Sequence, residues 1–144
     1  MSKADDAVKF HENFNCAQSV AAAFAGDFGI DIDTTLSFAV GFGAGMGRQQ
    51  KTCGAVTGAV MVLGLASRFT KDDKRPKINE VYAKAHRFIG EFTKQKGTAE
   101  CRELLKCDLS TEEGQKFFKE NNLRENCMGF VRLCCDMLDE YLNP

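Results

Sequence analysis

PKINEVYAKAHRFIGEFTKQKG, residues 76–97, carries the clearest periodicity in the chain. Ile78, Val81, Tyr82, Ala85, Phe88, Ile89 and Phe92 recur at three- and four-residue steps, so they share one face of a helix. Pro76 suits the first turn, where its missing N–H is no loss. Gly97 suits the end, where left-handed backbone is needed. The stretch predicts a long amphipathic helix with one buried face.

Helical signals continue on both sides. On the N-terminal side, residues 2–14 read as a short helix. Asn15 is placed to cap a second helix from Cys16 to about Phe28, with Gln18 at capping-box spacing. Asp33 is the expected cap of a short helix holding Leu36, Phe38, Ala39 and Val40. Thr52 is the expected cap of a helix from Cys53 to about Phe69. On the C-terminal side, Thr98 opens a short helix with Cys101, Leu104 and Leu105. Ser110 and Glu113 form another capping-box pair ahead of Phe117 and Phe118, and Asn126 caps a last helix from Cys127 to Leu142. No alternating pattern competes, and only Pro76 and Pro144 could interrupt a helix. The expected fold is all-α, a single domain over residues 1–144 with about six or seven helices.

The bulk numbers narrow the partners. Hydrophobic residues at 44% and charged residues at 27% are the balance of an ordinary globular chain rather than a disordered one. A net charge of −1 with no basic cluster argues against nucleic acid or an anionic membrane. The longest apolar run, from Cys53 to Ala66, is too short to cross a bilayer, and no secretory signal opens the chain. The expected location is the cytoplasm. Alternating Phe and small residues on several helices suit a homodimer interface and a monomer core equally.

Seven cysteines in such a chain call for sorting. In a reducing compartment they serve metal or cluster ligation, redox chemistry or packing. Cys16, Cys53 and Cys127 each follow a good cap residue, and Cys101 lies three residues after Thr98. The first turn of a helix offers free N–H groups and the positive end of the helix dipole, which stabilise a thiolate. There a thiol pKa of about 8.5 falls to between about 3.5 and 7.5. Cys53, Cys16, Cys101 and Cys127 are therefore the candidate catalytic thiols, and equally the candidate metal ligands. Cys134 and Cys135 lie mid-helix, where packing is the plainer reading, and Cys107 is an accessory thiol.

Around Cys53, Gly54 and Gly58 leave room for a partner thiol, a cluster or a substrate, and small residues at this spacing also let helices approach. Arg48 and Lys51 could lower the Cys53 pKa or serve only as exposed, solubilising charges. Neither His11 nor His86 stands out. No Cys-x-x-Cys occurs, which removes support for thioredoxin-type and common zinc-finger arrangements. The glycines at 41, 43, 45 and 47 fit neither a dinucleotide fingerprint nor a P-loop. They read as a tight passage bringing backbone near Cys53.

Taken in order, Asn15-Cys-Ala-Gln-Ser19, the glycine run ending at Gly47, Cys53-Gly-Ala-Val-Thr-Gly58, Cys101-Arg-Glu-Leu-Leu105 and Cys127 resemble the redox-active family known by its motif as C_GCAxxG_C_C. The resemblance spans nearly the whole chain. It implies four characteristic cysteines, which fall on Cys16, Cys53, Cys101 and Cys127. The chain is also similar to the non-haem portion of split-Soret cytochromes, for which an iron–sulfur centre has been proposed. Three functions follow as expectations. The first is thiol–disulfide exchange with Cys53 as the nucleophile. The second is electron transfer through a cysteine-ligated iron–sulfur cluster, and the third is a zinc site without turnover. The first two call for a redox partner protein that the sequence does not name.

Overall fold

The computed structural model describes residues 2–144. Among them are eight α-helices and no strand, one or two helices more than expected. They are α1 (Lys3–His11), α2 (Cys16–Ala25), α3 (Ile32–Ala39), α4 (Gly54–Ala66), α5 (Arg75–Lys96), α6 (Cys101–Leu105), α7 (Glu112–Glu120) and α8 (Arg124–Leu142). Short 3₁₀ turns at Gly26–Phe28 and Val40–Phe42 extend α2 and α3.

The caps show how local chemistry set these limits. Asn15 caps α2 as expected, its side chain accepting from the Gln18 N–H while Gln18 returns a bond to the Asn15 N–H. Elsewhere the start moves by a residue or more. Asp31, not Asp33, caps α3, because its carboxylate reaches both the N–H and the hydroxyl of Thr34. Thr111, not Ser110, caps α7, since the Ser110 hydroxyl is already engaged by Asp108. Helix α8 begins at Arg124, so Asn126 lies inside it and caps nothing. Thr52 is held in an isolated antiparallel bridge with Glu100, which leaves Cys53 itself at the N-cap of α4.

Helices α2 and α4 pack most extensively, and α1, α5 and α8 close around them. The core holds Phe24, Val56, Val62, Phe88, Phe92, Val131 and Leu138. On α5 the expected stripe is fully buried only at Phe88 and Phe92; Tyr82 is exposed, and so is His86. Phe92 meets Phe130 edge-on at 6.1 Å, and Phe88 meets Tyr141 at 5.3 Å. Burying such rings is worth about 1.5–3 kcal/mol each, so these contacts fix α8 against α5. Gly58 permits the α2–α4 approach: a methyl group there would stand 2.8 Å from the Ala17 carbonyl oxygen.

Between α3 and α4 the chain makes a left-handed turn. Ala44, Gly45, Met46 and Gly47 have φ of 52°, 61°, 70° and 58°, closed by a Gly47 N–H to Gly43 carbonyl bond of 2.8 Å. Arg48 and Gln50 follow at 69° and 54°. Each non-glycine residue in this region costs about 1–2 kcal/mol, so surrounding contacts must hold the turn. They include Gln50 N–H to Ala44 carbonyl and Lys51 N–H to Gly45 carbonyl, both 3.1 Å. Glycine is required at 45 on two counts, since a methyl would also lie 2.7 Å from the Gln50 Cα.

Candidate functional site

Each of the four expected thiols starts from a different part of this scaffold. Cys16 is the first residue of α2, and α2's start is anchored twice: Asn15 Nδ2 donates to the Val40 carbonyl at 2.9 Å, and Gln18 Nε2 to the Leu36 carbonyl at 3.0 Å. Cys53 is fixed by its N–H donating to the Ala99 carbonyl at 2.7 Å. Cys101 opens α6, its N–H donating to the Lys51 carbonyl at 2.6 Å. These last two bonds clamp the left-handed passage to the segment before α6. Cys127 is the fourth residue of α8, a turn deeper than the sequence implied.

All four line one cavity of about 320 Å³. Gly54 lines it too, and a methyl there would stand 3.3 Å from the Cys16 Cβ, whereas Gly58 faces Ala17 in the helix contact. Phe14, Leu104, Leu105, Phe118 and Phe130 make the walls largely apolar. Cys134 and Cys135 are fully buried in the core and line no part of it. Cys107 is half-buried outside the cavity, near enough for the Cys127 charge to act on it and for its own charge to act on Cys101. All seven cysteines are free thiols.

The electrostatics rank the four differently from the helix-start argument. For Cys53, burial pushes the thiol up to about 11, although the N–H groups of Ala55 and Val56 pull it down. Burial likewise pushes Cys101 to about 12, aided by the charge of Cys53. The helix terminus is present at Cys53 but loses to desolvation, which corrects the expectation of an acidic Cys53. Cys16 and Cys127 line the same cavity, and each shifts the ionisation of the other. The neighbouring Cys127 side chain, then burial, raises Cys16 well above the ordinary range. The Cys16 side chain lowers Cys127 against the effect of burial, and the Arg124 guanidinium adds to the lowering.

Two neighbours of this pair gave no clear signal in the sequence. His11 is 4% exposed, with Nε2 3.4 Å from Cys16 Sγ and a buried Nδ1 that has no partner among the described residues. Burial and then Arg124 lower its pKa to about 4, so the ring is neutral near pH 7. Arg124 donates to the His11 carbonyl oxygen, linking the end of α1 to the start of α8. The available clue was spacing: the short turn of residues 12–15 brings His11 back beside Cys16. Arg48 and Lys51, the cations singled out in the sequence, are exposed, and neither touches Cys53.

Gln50 is the third residue the sequence did not flag. Its buried amide donates to the Cys107 carbonyl at 2.9 Å, accepts from the Leu109 N–H at 2.7 Å, and approaches Cys101 Sγ at 3.9 Å. It fixes the loop after α6, and with it Cys101. As a donor set for metal, the site is incomplete. Among the described residues no three His, Cys, Asp or Glu side chains are grouped to hold an ion. A zinc ion needs four donors each about 2.0–2.3 Å from one centre, and these side chains are not so gathered.

The family model described as "Putative redox-active protein (C_GCAxxG_C_C)" matches residues 14–141, a span that includes every cysteine and excludes His11. No curated protein and no solved structure matches the chain. With the match covering most of its length, the chain belongs to the C_GCAxxG_C_C family of redox-active proteins.

Proposed function

We propose that the protein is a dithiol–disulfide redox protein in which Cys127 is the attacking thiol and Cys16 the resolving one. The observation that carries this reading is that Cys16 and Cys127 line one cavity, with His11 Nε2 3.4 Å from Cys16 Sγ and the Arg124 guanidinium favouring the Cys127 thiolate. Thiolate character decides which thiol attacks. Cys53 and Cys101, both buried and pushed up, are protonated at neutral pH and support the pair from behind.

The reaction runs in two displacements. The Cys127 thiolate attacks one sulfur of a substrate disulfide, forming a mixed disulfide and expelling the other half as a thiolate. That leaving thiolate takes the Cys16 proton. The Cys16 thiolate then attacks Cys127 Sγ, forming the Cys16–Cys127 disulfide and expelling the second half, which takes a proton from water. The substrate gains two electrons and two protons; the protein supplies both electrons and the Cys16 proton, and water supplies the second proton. A thiol reductant, small or a partner protein, restores the dithiol, as the cytoplasm would allow. His11 supports the second step. A buried N–H without an acceptor costs more than a buried lone pair, so the ring proton belongs on Nε2, where it donates to Cys16 Sγ and stabilises its thiolate.

The alternative is an iron–sulfur or zinc centre on Cys16, Cys53, Cys101 and Cys127, favoured by all four sharing one cavity. It requires the side chains to rearrange, given the present grouping. Anaerobic purification, visible absorption, and iron, sulfide and zinc analysis separate the readings. The dithiol reading predicts colourless, metal-free protein that loses two thiols on mild oxidation and regains them with dithiothreitol. Stoichiometric iron with sulfide, or stoichiometric zinc, would overturn it.

A further inference from the structure

We propose that the thiol cavity extends into an anion-binding subsite formed by Arg48, Lys119 and Arg124, and that the substrate is a disulfide bearing carboxylate or phosphate groups. This rests on the dithiol reading. A second concavity of about 480 Å³ adjoins the first, sharing Ala44, Leu109, Phe118 and Arg124 with it. Every charged residue lining it is a cation, and Gln115 and Asn122 add neutral polar groups.

Scarcity of acids does not explain this. The chain has 20 acidic and 19 basic residues, and among the described residues seven ion pairs engage other cations. None of those pairs includes Arg48, Lys119 or Arg124. Two of the three also stand where local structure opposes them. Arg48 has φ of 69°, held there by the left-handed turn. Arg124 is the first residue of α8, where the helix dipole disfavours a positive charge. Its bond to the His11 carbonyl uses one of five guanidinium N–H groups and leaves the others for a ligand.

The chemistry needs such a subsite. The Cys127 thiolate repels an approaching anion, so an anionic disulfide would react slowly unless cations beside the nucleophile offset that charge. Arg124 lines both concavities. It therefore stands between the reacting sulfur and the anion-binding end, while the apolar walls take the substrate's carbon chain.

Three disulfides of matched length test this: 3,3′-dithiodipropionate (anionic), 2-hydroxyethyl disulfide (neutral) and cystamine (cationic). The rate of oxidation of the reduced protein by each is divided by its rate with free 2-mercaptoethanol, which removes intrinsic reactivity. The expected order is anionic, neutral, cationic, with about fivefold between steps for each contact of a full charge pair in water, narrowing in 0.5 M NaCl. R48Q and K119Q, both at exposed positions, should bring the anionic-to-neutral ratio toward one. Inorganic phosphate and propionate, added as competitors, show which anion the subsite prefers. A ratio of one or less in the unsubstituted protein, or a ratio that neither substitution moves, overturns the subsite. Failure of the neutral disulfide to produce any Cys16–Cys127 disulfide would instead overturn the underlying dithiol reading.

Discussion

Replacing Gln50 by alanine should detach Cys101 from the site and destabilise the whole chain. The side chain is 2% exposed and makes two hydrogen bonds to the loop after α6, at 2.7 Å and 2.9 Å. Q50A leaves the Leu109 N–H buried without an acceptor, at a cost of about 1–3 kcal/mol, and removes a second bond worth about 1 kcal/mol. The sum is about 2–4 kcal/mol, a large part of a small domain's stability of about 5–15 kcal/mol. Backbone strain is a separate contribution, because Gln50 has φ of 54°. Q50G removes the same bonds but relieves that strain, so it should be about 1 kcal/mol more stable than Q50A. Urea denaturation gives both numbers. Labelling of the folded protein with a thiol reagent reads the site, where Cys101 should become reactive in Q50A. A Q50A protein within 0.5 kcal/mol of the original in about the same urea range, with Cys101 still protected, would refute the role given to this amide.

Three further outcomes follow from the same contacts. Cys134 and Cys135, fully buried and pushed up by burial, should resist alkylation at pH 8 until the protein unfolds; labelling in the native state would place them at the surface. His11, lowered from 6.5 to about 4, stays neutral in the fold while the unfolded chain takes up a proton. Stability is therefore full above pH 6.5 and declines toward pH 4 by up to about 3 kcal/mol, and H11Q should flatten that slope in denaturation measured across this range. The two glycines Gly114 and Gly64 should answer alanine in opposite directions. A methyl at Gly114 overlaps the Asp108 carbonyl oxygen and should cost about 1–3 kcal/mol, whereas one at Gly64 in α4 meets nothing and should gain about 0.5–1 kcal/mol, both read as shifts in Tm.

The helical class was legible because apolar spacing and caps agree over long stretches. Asn15 with Gln18, and Pro76 with Gly97, act locally, and the structure keeps both. Caps failed where a side chain had a nearer competitor, as Ser110 had in Asp108 and Thr52 in its bridge to Glu100. Among the thiols, sequence position identified helix starts at Cys16, Cys53 and Cys101 but not how deeply each is buried. Burial raised Cys53 while the Cys16 side chain and Arg124 lowered Cys127, which reversed the expected order. Gln50 and Arg124 escaped notice because each acts through contacts between distant segments, which spacing does not encode. His11, by contrast, lies five residues before Cys16, and its role depended on the turn between them.

The pairing of Cys16 with Cys127 is tested most directly by oxidising the fully reduced protein with one equivalent of a small disulfide, trapping with iodoacetamide, and mapping peptides without reduction. The account predicts one dominant crosslinked peptide joining Cys16 to Cys127, with Cys53, Cys101, Cys134 and Cys135 recovered as alkylated thiols only after unfolding. A crosslink between other cysteines, or none at all while oxidant is consumed, would contradict it.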